Sequence, residues 1–146
     1  MTVSFIVDAS VIAEFVVKGD YTIQARQLIS SLDQGDELWI PEFCLLECAN
    51  VLWKRVRFKQ AVAGDARLLI LDLCELPFTI GAIRDLLPRA LEIGILHELT
   101  IYDSLYLALA EIVKVELITL DKSQAKAAQS LGVPLKPITD FTPQAS

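Results

Sequence analysis

The sequence has one histidine, His97, and three cysteines, Cys44, Cys48 and Cys74, among its 146 residues. A structural zinc site needs four nitrogen or sulfur ligands at characteristic spacings, and this small, scattered set does not favour one. His97 also has no evident nucleophilic partner, so nothing indicates a Ser-His-Asp or Cys-His arrangement. Cysteines without partners most often behave as small buried apolar residues.

Long uninterrupted apolar runs are missing too, although 53% of the residues are hydrophobic and the mean hydropathy is +0.47. The richest stretch, 101–120, is broken by charged residues, so no segment is long enough to span a bilayer. The N-terminal residues lack the basic segment of a secretory signal and lead directly to Asp8. These absences predict a cytoplasmic protein without a membrane association.

An excess of positive charge is likewise absent, because 19 acidic residues outnumber 13 Lys and Arg and give a net charge of −6. This balance disfavours a protein that coats nucleic acid non-specifically, but not a nuclease whose carboxylates hold metal. One basic segment contains Lys54, Arg55, Arg57 and Lys59. These residues either complement the dipole at a helix C-terminus or contact RNA phosphates beside Phe58, and the sequence leaves both interpretations open.

Apolar runs and helical spacings alternate along the whole chain. Strands are predicted at 3–7, 37–40, 78–80, 117–120 and 135–138, and helices at 9–17, 21–32, 41–57, 61–75, 82–96, 100–113 and 121–131. Pro88 should kink the fifth helix or mark its restart. The pattern predicts an α/β fold with a doubly wound, mostly parallel central sheet flanked by helices in three layers. The length suits one domain, 1–146, with a short C-terminal tail from about residue 141.

Four acidic residues stand beside apolar segments, at strand ends or on helices: Asp8, Glu47, Asp103 and Asp121. A carboxylate next to a core is unfavourable unless pairing, hydrogen bonds or a metal offsets its desolvation. In doubly wound sheets, ligands bind at the carboxyl ends of the strands, near the switch in strand order. We therefore expect the four carboxylates to share one site there and to bind a divalent cation.

Each of these carboxylates also has a purely structural explanation. Asp8 and Asp121 can cap the helices that follow them, and Asp103 can belong to a capping box at the start of its helix. Glu47 can lie on a polar stripe of its helix. Jointly these explanations are weaker, because Glu47 needs no cap and its sequence neighbours are apolar.

The segments around these four residues carry a family resemblance. They read VDASV at 7–11, PEFCLLECANVL at 41–52, LTIYDSLYLALA at 99–110 and LITLD at 117–121. They resemble the acidic motifs of PIN-domain ribonucleases, and most of all the small VapC-type toxins of prokaryotic toxin–antitoxin pairs. The resemblance covers the whole chain in the family's order and implies a PIN-like fold. One departure is Leu120, which stands where a smaller residue is more usual.

The resemblance implies a role for each motif. The quartet Asp8, Glu47, Asp103 and Asp121 would be the catalytic, metal-binding residues. Ser10 and Thr119 fall where the family has hydroxyl residues lining the site. Carboxylates suit Mg²⁺ or Mn²⁺ as ligands. One bound ion would activate water for attack on an RNA phosphodiester, and a second ion could stabilise the leaving oxygen.

Other readings of the acidic residues fit less well. An aspartyl-phosphate phosphatase needs a second carboxylate two positions after the first, where this chain has Ser10. A receiver domain needs paired acids at the end of the first strand, and they are absent. An RNA-processing or DNA-acting nuclease outside a toxin–antitoxin pair remains an alternative, as does a non-catalytic PIN-fold module that binds a partner in its cleft.

Large aromatic side chains crowd one strand–helix segment, at Trp39, Phe43, Trp53 and Phe58. We expect some of them to be exposed and to mark an interface on the helical pair at 41–75. The family resemblance implies a homodimer, and a cognate antitoxin whose basic C-terminal segment places an Arg or Lys among the carboxylates.

Overall fold

A computed structural model describes residues 2–144 of the chain, and within them the centre of the fold is a four-stranded sheet. Its strands are β1 (Ser4–Val7), β2 (Glu37–Pro41), β3 (Thr79–Gly81) and β4 (Glu116–Ile118). All of the strand pairings are parallel, and the order across the sheet is β3-β2-β1-β4. The predicted doubly wound α/β fold is therefore confirmed, and the sheet is wholly parallel.

Within residues 2–144, seven α-helices flank the sheet in a three-layer arrangement. They are α1 (Ala9–Val16), α2 (Thr22–Ser30), α3 (Phe43–Arg57), α4 (Ala63–Glu75), α5 (Leu87–His97), α6 (Ile101–Val113) and α7 (Lys122–Leu131). Short 3₁₀ turns follow α2, precede α5 and close the described chain at Ile138–Phe141. None of the helices between residues 2 and 144 combines the length and apolarity needed to cross a bilayer.

The core is formed by the apolar strands and by α6, the most buried helix. Residues 104–110 of α6 are buried without interruption, and α6 contacts both β1 and β2. Ile6, Leu38, Ile40 and Leu117 are wholly buried on the strands. Strands covered on both faces read as continuous apolar runs, which is why the sequence showed them so clearly.

Several predicted boundaries differ from the structure, three of them in the kind of structure formed. Pro41 does not begin a helix but ends β2, where it pairs with Gly81 of β3, and α3 begins at Phe43. The strand predicted at 135–138 is reduced to a single parallel bridge between Leu117 and Leu135, because Pro137 lacks an amide donor and a 3₁₀ turn follows. Phe141, where a tail is predicted, packs edge-on against Phe5 at 5.8 Å. Residues 145 and 146 of that tail lie outside the described residues.

The direction of winding fixes where a ligand cleft can form. The chain moves from β1 outward to β2 and β3, and then returns to place β4 on the other side of β1. The switch point therefore lies between the carboxyl ends of β1 and β4. Asp8 follows β1 directly, and Asp121 follows β4 after a two-residue connection.

Candidate active site

The four acidic residues predicted from the sequence line one cavity at this switch point. The cavity has a volume of about 190 Å³, and Ala9, Ser10 and Tyr106 complete its lining, together with Asp8, Glu47, Asp103 and Asp121. Each carboxylate comes from a different part of the chain, so tertiary folding alone brings them together. We refer to this space as the carboxylate cavity.

Asp8 is the most buried member of the quartet, with 4% of its surface exposed. One carboxylate oxygen accepts hydrogen bonds from the Ser10 hydroxyl and the Ser10 amide, the latter at 3.0 Å, and so caps α1. The other oxygen accepts a hydrogen bond from the Thr119 hydroxyl. Both oxygens are therefore oriented by groups on the segments that follow β1 and β4, the two strands that border the switch point.

The two hydroxyls also connect these two segments to each other. Ser10 Oγ accepts a hydrogen bond from the Leu120 amide at 3.0 Å, and Thr119 Oγ1 accepts one from the Asp121 amide at 3.0 Å. Each hydroxyl thus donates to Asp8 and accepts from the connection between β4 and α7. The position of Asp121 is consequently tied to that of Asp8 through Thr119.

Glu47 reaches the cavity from the middle of α3 and is half-buried. Its Oε1 accepts a hydrogen bond from the Tyr106 hydroxyl at 2.9 Å. Tyr106 is almost fully buried, and burial together with the neighbouring Cys44 and Glu47 raises its pKa, so the phenol stays protonated as a donor. The sequence prediction missed Tyr106; its only signal is a place one helical turn after Asp103.

Asp103 and Asp121 occupy the first turn and the N-cap of their helices. The Asp103 amide donates to Thr100 Oγ1 at 3.2 Å, which caps α6, and Asp121 Oδ1 accepts from the Gln124 amide at 3.0 Å, which caps α7. The capping explanations are therefore also correct for Asp8 and Asp121. Capping and facing the cavity are compatible, because a helix N-terminus at the sheet edge points its first turn into the switch point.

Burial and mutual repulsion favour the protonated forms of three of these carboxyl groups. Burial raises the pKa of Asp8 to about 6, against the lowering effect of its hydrogen bonds, and Asp121 adds repulsion. Burial, followed by repulsion from Asp103 and Asp8, raises the pKa of Glu47. Burial and the charge of Asp121 raise the pKa of Asp103. A cation in the cavity would offset this repulsion and favour the ionised forms.

The donor set fits a hard divalent cation, which prefers carboxylate oxygens and retains several waters. Among residues 2–144, no Lys or Arg forms an ion pair with any of the four carboxylates. Within the same range, no three His, Cys, Asp or Glu side chains form a ready-made metal cage. Such a cage is not required, because Mg²⁺ needs only one or two direct carboxylate ligands and retains several waters.

The predicted RNA-contacting residues Lys54, Arg55, Arg57 and Lys59 lie apart from the carboxylate cavity, at the C-terminal end of α3. Lys54, Arg57 and Lys59 are exposed, and Arg57 lies 5.8 Å from the centre of the Trp53 ring. Three of the four belong to the last turn of α3, so they do complement its dipole. A contact with RNA by these residues stays a prediction.

A parallel sheet with four carboxylates at its switch point defines a class of α/β proteins with an acidic cleft, and comparison with known families specifies the class. A sequence profile of the PIN domain matches residues 5–129. The chain belongs to the PIN domain family.

Individual relatives agree with this assignment. The chain is 31% identical over 131 residues to a protein named Ribonuclease VapC3 from Pyrobaculum aerophilum, an alignment that covers 88% of this chain and 98% of the relative. Its fold is similar to the crystal structure of PAE2754 from the same organism, with a TM-score of 0.74, 20% identity and coverage of 97% and 95%. It is also similar to VapBC2 from Rickettsia felis bound to a promoter DNA fragment, with a TM-score of 0.66, 13% identity and coverage of 92% and 98%.

Proposed function

We propose that this protein is a divalent-metal-dependent endoribonuclease that hydrolyses RNA phosphodiester bonds, and that it is the toxin of a toxin–antitoxin pair. The observation that carries the proposal is the convergence of Asp8, Glu47, Asp103 and Asp121 on one cavity at the switch point. The name of the relative from Pyrobaculum aerophilum, a ribonuclease, supports RNA as the substrate. A cytoplasmic location is part of the proposal and agrees with the three free thiols.

Asp8, Glu47, Asp103 and Asp121 would hold Mg²⁺ or Mn²⁺. When bound, the ion supplies Lewis-acid chemistry, which lowers the pKa of water and neutralises charge on the phosphate. Asp8, whose two oxygens are fixed by the Ser10 and Thr119 hydroxyls, is the most preorganised of the four. Preorganisation lowers the energy needed to reorient a ligand when cation and substrate arrive.

Glu47 has a second function in the proposal. Its Oε1 accepts a hydrogen bond from the Tyr106 hydroxyl, so its second carboxylate oxygen remains available to a group in the cavity. A half-buried carboxylate of raised pKa can orient a water molecule and accept its proton during attack on phosphorus. We therefore assign Glu47 both cation binding and orientation of the attacking water, with Tyr106 as a positioning residue.

The experiment that tests the proposal is cleavage of single-stranded RNA by the purified protein with Mg²⁺ or Mn²⁺, and with EDTA. Asp8→Asn and Asp103→Asn remove one negative ligand each at nearly constant shape. We expect each variant to reduce the cleavage rate by at least about 100-fold. Removing a residue that only hydrogen-bonds to a metal ligand already costs up to about that factor, and these residues are the proposed ligands themselves. The matched control is Asp72→Asn, an exposed carboxylate on α4 that should cleave like the wild type.

The alternatives give different results in the same assay. A non-catalytic binding module would bind RNA or a partner without cleaving in either metal. A DNA-acting nuclease would cleave single-stranded DNA of the same sequence in preference to RNA. Cleavage that survives EDTA, or that persists in purified Asp8→Asn and Asp103→Asn, would contradict the proposal.

The proposed partners are an antitoxin and a second copy of the chain. The similar structures from Klebsiella pneumoniae and Rickettsia felis are described as a toxin–antitoxin complex and as VapBC2, which supports an antitoxin. A basic antitoxin segment would find four carboxylates that lack an ion pair within residues 2–144. An Arg or Lys there would occupy the place of the cation through charge-assisted hydrogen bonds.

A further inference from the structure

A second, more apolar cavity opens beside the carboxylate cavity. Its volume is about 380 Å³, and its lining consists of Phe43, Leu46, Glu47, Asn50 and Tyr102. Glu47 lines both cavities, so the two are neighbours with one side chain in common. The four α3 residues recur at helical spacing and therefore present one face of α3 to Tyr102. We call this space the side pocket.

Tyr102 contacts a buried aromatic ring although its own ring is accessible. It is 60% exposed, and its ring meets Phe43 edge-on at 5.5 Å and 72°. Phe43 is buried and meets Tyr106 edge-on at 5.5 Å and 80°, and Tyr106 in turn donates to Glu47. A chain of contacts thus connects the exposed ring to Glu47.

The chemistry of the side pocket specifies what can enter it. Leu46 and the Tyr102 ring offer exposed apolar surface, 69% and 60% accessible, next to the negative charge of Glu47. An anionic group is excluded there by repulsion, whereas a flat, uncharged group gains apolar contact and ring stacking. The exposed Asn50 amide at the rim can donate and accept hydrogen bonds with the edge of such a group.

We propose that the side pocket binds the nucleobase of a nucleotide adjacent to the scissile phosphate, with the base stacked on Tyr102 and its edge facing Asn50. The inference rests on the proposed function, because a bound RNA places a neutral base a short distance from a phosphate in the carboxylate cavity. Aromatic rings commonly serve as stacking platforms for single-stranded nucleic acid, since every base has a π face. Tyr102 is then a positioning residue for the substrate, and Asn50 contributes to base preference.

The experiment measures binding separately from cleavage. The probe is a random-sequence, single-stranded RNA of about ten nucleotides in which 2-aminopurine replaces adenine, because its fluorescence falls when the base stacks. Binding is measured in the Asp8→Asn background to prevent cleavage. Tyr102→Leu removes the aromatic ring, Tyr102→Trp retains a stacking surface, and Tyr21→Leu is a control at an exposed tyrosine in the turn before α2.

We expect Tyr102→Leu to weaken RNA binding about tenfold, because loss of one stacked base typically costs that much in affinity. The same change should abolish the quenching of 2-aminopurine. Tyr102→Trp should retain both, and Tyr21→Leu should match its parent. In the cleaving protein, Tyr102→Leu should raise KM with little change in kcat, because a stacked base contributes equally to ground-state and transition-state binding. Because Tyr102 is exposed, its variants should melt close to the parent.

The possible failures can be told apart. If the wild type cleaves RNA but Tyr102→Leu binds and quenches like its parent, the side pocket is refuted and the nuclease assignment stands. If Tyr102-dependent quenching is present but the wild type cleaves nothing, the nuclease assignment is refuted and the pocket stands. If Tyr102→Leu leaves RNA binding intact but abolishes binding of a protein partner, the pocket is a protein-docking site and the inference is overturned.

Discussion

At the scale of single residues, Asp8 combines a structural role with its proposed role in binding a cation. It caps α1, accepts two hydroxyl donors and is 4% exposed, yet its pKa is raised to about 6 because burial outweighs those hydrogen bonds. A residue selected only as a helix cap does not need two further hydroxyl donors on its carboxylate. The extra hydrogen bonds are consistent with a carboxylate that must remain ionised and oriented.

The raised pKa of Asp8 predicts how stability depends on pH in metal-free protein. The folded state holds the Asp8 proton up to about pH 6, whereas the unfolded chain releases it near the ordinary value of 3.8. The folded state therefore binds more protons across this window, so the free energy of unfolding falls as pH rises through it. At pH 7.5 in EDTA, ionisation of Asp8 lowers the free energy of unfolding by up to roughly 3 kcal/mol relative to a neutral group at this position.

Asp8→Asn should consequently be more stable than the wild type at pH 7.5 in EDTA, and the difference should shrink as the pH is lowered to 4. Urea unfolding of both proteins across this range measures it, with Asp72→Asn as the control. Adding Mn²⁺ at pH 7.5 should stabilise the wild type and not Asp8→Asn. A difference that is constant with pH would show that Asp8 is not buried as a charge.

The four acidic residues of the carboxylate cavity could be predicted because each stands in a recognisable local sequence pattern. Asp8 and Asp121 follow apolar runs, Asp103 follows a capping threonine, and Glu47 interrupts an apolar helical face. Tyr106 could not be predicted in the same way. It looks like one more core residue of α6, and its hydrogen bond to Glu47, 59 positions away, arises only from tertiary packing.

At the scale of secondary-structure elements, the sequence was most informative where caps and breakers are present. Thr100 caps α6 as its spacing indicates, and Gly132 ends α7 with a positive φ of 73°. Pro88 marks the restart after a 3₁₀ turn, at the beginning of α5, where its missing amide donor is not needed. These signals depend only on neighbouring residues in the chain, so they can be recognised from the sequence alone.

The errors occur where pairing between strands overrides local preference. Proline is favourable at a first helical position, but Pro41 lies at the end of β2, where β2 pairs with β3. A proline is tolerated at the end of a strand. The apolar residues after Val133 also suggest a strand. There, the Leu117 and Lys136 amides bond to Pro134 and Leu117 carbonyls at 2.8 and 2.9 Å, and the ladder stops at Pro137.

At the scale of the whole molecule, exposed apolar surface predicts self-association. Of the four aromatics expected at an interface, Phe43 is buried and Trp39 half-buried, whereas Trp53 and Phe58 are 57% and 66% exposed. An open apolar groove between α3 and α4 lies beside Trp53. Exposed patches of this kind usually mark protein interfaces.

We therefore predict a homodimer at micromolar concentration. Size-exclusion chromatography with light scattering should give about twice the chain mass of 16.2 kDa. Trp53→Glu should shift the protein toward monomer if this groove is the interface, while Ile23→Glu, an exposed apolar residue on α2, should not. A wild-type protein that elutes at the chain mass would contradict the prediction.

The central claim is that the four converging carboxylates bind a divalent cation for RNA hydrolysis, and the location of bound Mn²⁺ tests it most directly. Crystals soaked in Mn²⁺ and measured for anomalous scattering should show a peak in the carboxylate cavity, with at least one of Asp8, Glu47, Asp103 and Asp121 at roughly 2 Å from the ion. Asp8→Asn crystals should lose or weaken that peak. A wild-type protein that cleaves RNA in Mn²⁺ but shows no peak in the cavity would contradict the claim.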